Sequence, residues 1–109
     1  MDYPKRGEYI ATNLSPTEGH EQQGYRPMLV LSHDSMNRRG CAIVMPITNT
    51  LHGGDRFLLP ESEPVQGTVL FAQVRTIDWR ARGFVSKGMA SQDVVDEAAA
   101  CLLTLLDID

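Results

Sequence analysis

Short apolar runs alternate with polar, glycine- and proline-marked intervals along most of the chain, and only the C-terminal end breaks that rhythm. Runs of four or five apolar residues bounded by turn formers read as strands, being too short for helices and rich in β-branched side chains. Met28-Leu29-Val30-Leu31 is one such run, entered through Pro27, since proline is tolerated at a strand's first position. Cys41-Ala42-Ile43-Val44-Met45 is apolar without alternation, as expected of a central strand buried on both faces, and Pro46 is expected to end it. Glu8 to Leu14 mixes aromatic, β-branched and polar residues and predicts a first strand. Phe57-Leu58-Leu59 (stopped by Pro60), Gly67 to Val74 and Phe84-Val85 predict three more, while the polar stretch His33 to Gly40 has room for a short helical turn. From Ser91 the period changes. Val94, Val95, Ala98, Cys101, Leu102 and Leu105 recur at helical spacing, with Ser91 as cap and Asp93 at the positive end of the helix. Strands followed by one terminal helix predict a mainly β fold with short helices: a small, strongly bent sheet or barrel, closed or covered by that helix.

The length of 109 residues fits one domain, 1–109, around one core. A chain that is 42% hydrophobic and 22% charged is ordinary for a soluble globular protein, and no apolar run approaches the roughly 18 residues of a membrane span. The N-terminus lacks the apolar centre of a secretion signal. Cys41 and Cys101 lie far apart without a paired motif and are expected as buried thiols. The three histidines are scattered, so neither a metal nor a cofactor is expected. The net charge of −4 speaks against a nucleic-acid partner until its distribution is considered. Residues 91–109 hold five acids and no Lys or Arg, which leaves nine acids against ten bases over residues 1–90, a net of +1.

Candidate chemistry concentrates in Gly19-His20-Glu21-Gln22-Gln23-Gly24-Tyr25-Arg26-Pro27, a polar loop placed against a rigid strand. It offers an imidazole, a carboxylate and a fixed cation between glycines that permit unusual backbone angles. Thr48 stands just past the central strand, where its hydroxyl either caps a turn or donates to a phosphate oxygen. In Gln73-Val74-Arg75-Thr76-Ile77-Asp78-Trp79-Arg80-Ala81-Arg82-Gly83, three arginines and the only tryptophan crowd together. Arginine pairs with phosphate and stacks on bases. The bland alternatives are a solvated or Asp78-paired arginine face, and a tryptophan that fills the core. These residue types suit cleavage of RNA by its own 2′-hydroxyl, which needs a base, a proton source, and cations or donors on the non-bridging oxygens. His20 or Glu21 would take the proton, Arg26 would neutralise the developing charge, and Thr48 would donate to it.

At these residues the sequence resembles the MazF/PemK family, the toxin half of bacterial type II toxin–antitoxin pairs. Ser15-Pro16-Thr17-Glu18-Gly19-His20-Glu21-Gln22-Gln23-Gly24 matches the family's Asp-Pro-Thr-x-Gly-x-Glu-Gln-x-Gly loop, with Ser15 where aspartate is usual. Arg26-Pro27, Pro46-Ile47-Thr48, Gln73 to Asp78 and Trp79-Arg80-Ala81-Arg82-Gly83 follow in family order. The resemblance implies a small SH3-like barrel with a C-terminal helix, forming a homodimer in the bacterial cytoplasm, away from any membrane. It implies a sequence-specific, metal-independent endoribonuclease acting on single-stranded mRNA, blocked by a MazE-like antitoxin. By position it makes Arg26 and Thr48 catalytic, with His20 and Glu21 as polar groups of the active-site loop. Gln23, Asn49, Gln73, Arg75, Arg80 and Arg82 become the expected RNA contacts. In the PemK branch an arginine and an aspartate, proposed as acid and base, stand where this chain has Leu70 and Ala72. That branch's mechanism therefore does not transfer. Two other readings stay open: a non-enzymatic toxin resembling CcdB, which poisons DNA gyrase, and a catalytically weakened relative that only binds antitoxin or RNA.

Overall fold

Residues 2–13, 25–49 and 56–107 are described by the computed structural model of the chain. Among the described residues seven strands lie antiparallel: β1 (Glu8–Asn13), β2 (Tyr25–Val30), β3 (Cys41–Thr48), β4 (Phe57–Leu58), β5 (Thr68–Val69), β6 (Arg75–Asp78) and β7 (Val85–Met89). Their order is β4-β5-β3-β2-β1-β7, with β6 also on β3. Side chains alternate across a strand, and here both faces are covered. Tyr9, Leu29, Met45, Ile47 and Val69 pack with Val94 and Ala98 of the terminal helix. Ile10, Met28, Val30, Ala42 and Val44 pack on the other face with Ile77 and Trp79. This is why β2 and β3 read as unbroken apolar runs. The expected mainly β architecture with a terminal helix is the one observed.

Several boundaries differ from the sequence reading: β6 is a strand not expected from the sequence, and β7 extends to Met89, beyond the expected Phe84-Val85. β2 begins at Tyr25, upstream of Pro27, because the ladder to β3 starts only at Met28 and Pro27 faces Ala11 of β1 alone. β3 runs through Pro46 to Thr48. A strand residue's N–H and C=O point the same way, and the Pro46 carbonyl accepts from Leu70 N at 2.9 Å. The missing N–H thus falls in the gap where β5 (on Ile47 and Thr48) has left β3 and β6 (on Cys41 to Val44) has begun. The same gap breaks the expected strand Gly67 to Val74, which becomes β5 and a 3₁₀ turn, Phe71–Gln73, ahead of β6. Phe71 and Val74, three apart, both lean on the core in that turn. Finally, Trp79–Arg82 forms a short helix, α2, whose first turn is capped by the Asp78 carboxylate on Ala81 N.

Asn37, at the end of the short helix α1 (Asp34–Asn37), is a buried polar hub. Its amide donates to Pro4 O at 2.9 Å and Ser32 O at 3.0 Å, its Oδ1 accepts from the Ser32 hydroxyl, and its carbonyl takes the Trp79 indole N–H at 2.7 Å. Trp79, 5% exposed, is a core residue. The terminal helix α3 (Gln92–Leu106) is capped by Ser91 as expected. Its stripe is buried at Val94, Val95 and Ala98 but leaves the core further on, where Leu105 is exposed. Cys41 and Cys101 are free thiols, half-buried rather than buried. Among the described residues no helix is long and apolar enough to cross a membrane.

Candidate active site

Two neighbouring strands bring the central pair of candidate residues together. β2 and β3 pair as Met28 with Pro46, Leu29 with Met45 and Val30 with Val44. Two more places along that register set Arg26 opposite Thr48. Both line one cleft of about 220 Å³ with Pro27, Ile47, Asn49 and Gln66, a volume of about seven water molecules. Pro27 favours the extended conformation in the residue before it, so Arg26 is held in strand geometry where its ladder to β3 has ended. Thr48 is held from the other side by its pairing with Thr68 of β5.

The row across the sheet therefore reads Thr12, Arg26, Thr48, Thr68. Its outer members are structural. Thr12 is buried and its hydroxyl donates to Gly83 O at 2.7 Å, and Thr68 is buried beneath the surface. Arg26 is exposed and Thr48 half-buried, and both line the cleft. The described lining has no carboxylate, thiolate or imidazole, and no cluster of metal-binding side chains gathers elsewhere among the described residues.

The remaining candidates divide by position. His20, Glu21 and Gln23 lie outside the described residues. Asn49 is in the cleft. Arg75 pairs with Val44, four residues from Thr48 and so about 13 Å along β3. Gln73 is exposed at the end of the 3₁₀ turn, ahead of Arg75. Arg82 ends α2 next to Gly83, the residue that takes the Thr12 hydroxyl. Arg80 is not brought to the cleft. Its guanidinium donates to Arg38 O at 2.8 Å and lies 5.4 Å from the Trp79 ring centre. That is beside Gly40, roughly 25 Å down β3 from Thr48.

Three residues of this region were not singled out by the sequence reading. Gln66 lines the cleft directly. Gly67, at φ +129°, lets the backbone pass so close to Thr48 that a Cβ there would sit 2.7 Å from its carbonyl oxygen. A glycine opening a strand is itself a signal of close backbone approach, and here it marks the site. Arg56, just ahead of β4, has a buried Nε without a hydrogen-bond partner among the described residues. Continuing the β4–β5 register sets it opposite Leu70.

Comparison with known proteins places this architecture. The endoribonuclease toxin ChpB of Escherichia coli (strain K12) is 38% identical over 112 residues, covering 94% of each chain. The crystal structure of MazF (Form-I) from Deinococcus radiodurans superposes with a TM-score of 0.84 at 34% identity, covering 99% of this chain and 100% of that one. The MazE–MazF structure (Form-II) from the same organism gives 0.84 at 30% identity over the whole of both chains. The sequence pattern of the PemK-like, MazF-like toxins of type II toxin–antitoxin systems matches residues 5–106, and the chain belongs to that family.

Proposed function

We propose that this chain is an endoribonuclease toxin that cuts single-stranded mRNA at a short sequence. In this reading the 2′-hydroxyl attacks the adjacent phosphorus, leaving a cyclic phosphate and a 5′-hydroxyl, without a metal. The observation that carries it is the placement of Arg26 opposite Thr48 in one cleft whose described polar lining is a cation and neutral hydrogen-bonding groups. Charge develops on the non-bridging oxygens as the 2′-oxygen attacks. Arg26, a fixed planar cation, neutralises it, and the Thr48 hydroxyl donates to it. Arginine is a poor general acid, so proton transfer falls to His20 or Glu21, a few residues before Arg26 in the sequence. Leu70 and Ala72 offer no titratable group to share that task. Gln23, Asn49, Gln73, Arg75 and Arg82 would contact the RNA near the cleft, with Arg80 adding charge at a distance.

The chain would act as one toxin domain, 1–109, in the bacterial cytoplasm, as a homodimer inhibited by a MazE-like antitoxin. The likeness to MazF in its MazE-bound form supports that partner. The test is incubation of the purified protein with a long single-stranded RNA in EDTA. Discrete fragments with cyclic-phosphate ends are expected from wild type and none from Arg26→Ala. Intact RNA after exposure to folded wild-type protein would sink the enzymatic reading.

A further inference from the structure

Gln66 is held in a way that its solvent-facing position alone would not require. Its Nε2 donates to two backbone carbonyls, Glu61 O at 3.2 Å and Glu63 O at 3.0 Å. A primary amide has two N–H donors, and both are used by the turn that carries the residue. Two carbonyl oxygens beside one end of the amide also fix which end is nitrogen, since an oxygen there would face only acceptors. What remains is Oε1, an acceptor with no partner among the described residues, on a side chain that lines the same cleft as Arg26, Thr48 and Asn49. The next residue, Gly67, packs against the Thr48 carbonyl, so the acceptor is tied to the site through the backbone.

We propose that Gln66 reads one base of the RNA through this immobilised Oε1, and that it selects adenine or cytosine there. The inference rests on the ribonuclease reading above and names a specificity-determining residue for it. Adenine N6 and cytosine N4 are amines at corresponding places on the base edge, and both donate; guanine O6 and the uracil O4 are acceptors there and face Oε1 with like polarity. Unstacked bases of single-stranded RNA expose this edge. An acceptor already fixed by two hydrogen bonds loses little side-chain freedom when the base arrives. Arg26 and Thr48 hold the phosphate, which carries no sequence information.

The test uses a randomised pool of short 2′-fluoro RNA, whose riboses lack the attacking hydroxyl, with sequencing of the fraction bound by the full chain. Wild type should enrich adenine and cytosine over guanine and uracil at one position. Gln66→Met, which keeps length without the acceptor, should flatten that position by about ten-fold and leave the others unchanged. Gln66→Arg, a donor that still satisfies the two carbonyls, should turn the preference toward guanine or uracil. A role confined to bracing the turn could not reverse a base preference. Identical base preferences in wild type and both variants would overturn the assignment, as would a wild type without amino-base enrichment. Cleavage-end mapping on ordinary RNA runs in parallel. Absence of cuts there strikes the ribonuclease reading alone, because the pool experiment reads binding.

Discussion

Gly67 and the carbonyl oxygen of Thr48 are in contact that only a glycine permits: a Cβ on residue 67 would lie 2.7 Å from that oxygen, and the residue sits at φ +129°. The contact seats Thr48 of β3 against the turn that carries Gln66. Gly67→Ala forces either the turn or the strand end to shift. Strained backbone of this kind costs on the order of 1–3 kcal/mol, and overlap with a backbone atom adds to it. Thermal unfolding of the variant should fall by about 10 °C. Its cleavage should drop further than that of a variant equally destabilised at a distance from the cleft.

Arg26 and Thr48 should be separable by their chemistry. Thr48→Val keeps the branched shape but removes the hydroxyl, and the loss of one donor to a developing oxyanion reduces kcat by about 10²–10³. Arg26→Lys keeps the charge but loses the planar fork. It should restore less than a tenth of the activity lost in Arg26→Ala. Single-turnover cleavage of a short RNA measures both, and a Thr48→Val enzyme at wild-type kcat would remove the hydroxyl from the proposed mechanism.

Much of this was legible before the structure. The apolar runs gave β2 and β3, and the helical stripe gave α3 with its Ser91 cap, because buried faces impose their periodicity on the sequence. Proline misled in two places. At Pro27 and Pro46 the strand continues because the ladder on one side is interrupted at that very step, a fact of pairing that no local pattern carries. Arg26 and Thr48 were recognisable by residue type and family order, but their alignment across two strands depends on register. Gln66 escaped notice because its acceptor becomes meaningful only when Glu61 and Glu63 carbonyls immobilise it. Arg80 shows the converse: close to Arg75 and Arg82 in sequence, it is carried to the far end of β3 by α2.

Arg80 accordingly offers a control within the same motif. It is held by the Arg38 carbonyl and the Trp79 ring, far from the cleft. Arg80→Gln should lower RNA affinity only through net charge, seen as a shallower salt dependence, with kcat and cleavage positions unchanged. Arg75→Gln, about 13 Å from Thr48, should raise KM several-fold at the same ionic strength. Steady-state cleavage at two salt concentrations distinguishes them, and equal effects of the two substitutions would contradict this division.

Tyr9 and Glu63 govern the response to alkali. The Tyr9 hydroxyl donates to Glu63 Oε1 at 2.6 Å, and the same oxygen accepts from Ser91 N at 3.2 Å, joining β1, the turn before β5 and the start of α3. Burial first, and the Glu63 carboxylate second, hold the phenol well above its ordinary value of 10.0. The folded protein therefore keeps this proton at a pH where the unfolded chain has released it. Stability from the pair is complete below pH 10.0 and declines as pH rises above that value. Tyr9→Phe leaves Glu63, only 8% exposed, without its hydroxyl donor. At neutral pH the variant should lose about 1–3 kcal/mol. Urea unfolding from neutral pH to about pH 11 should show the wild type converging on Tyr9→Phe as alkali is added. A constant gap between the two across that range would place the stabilisation elsewhere than in the Tyr9 proton.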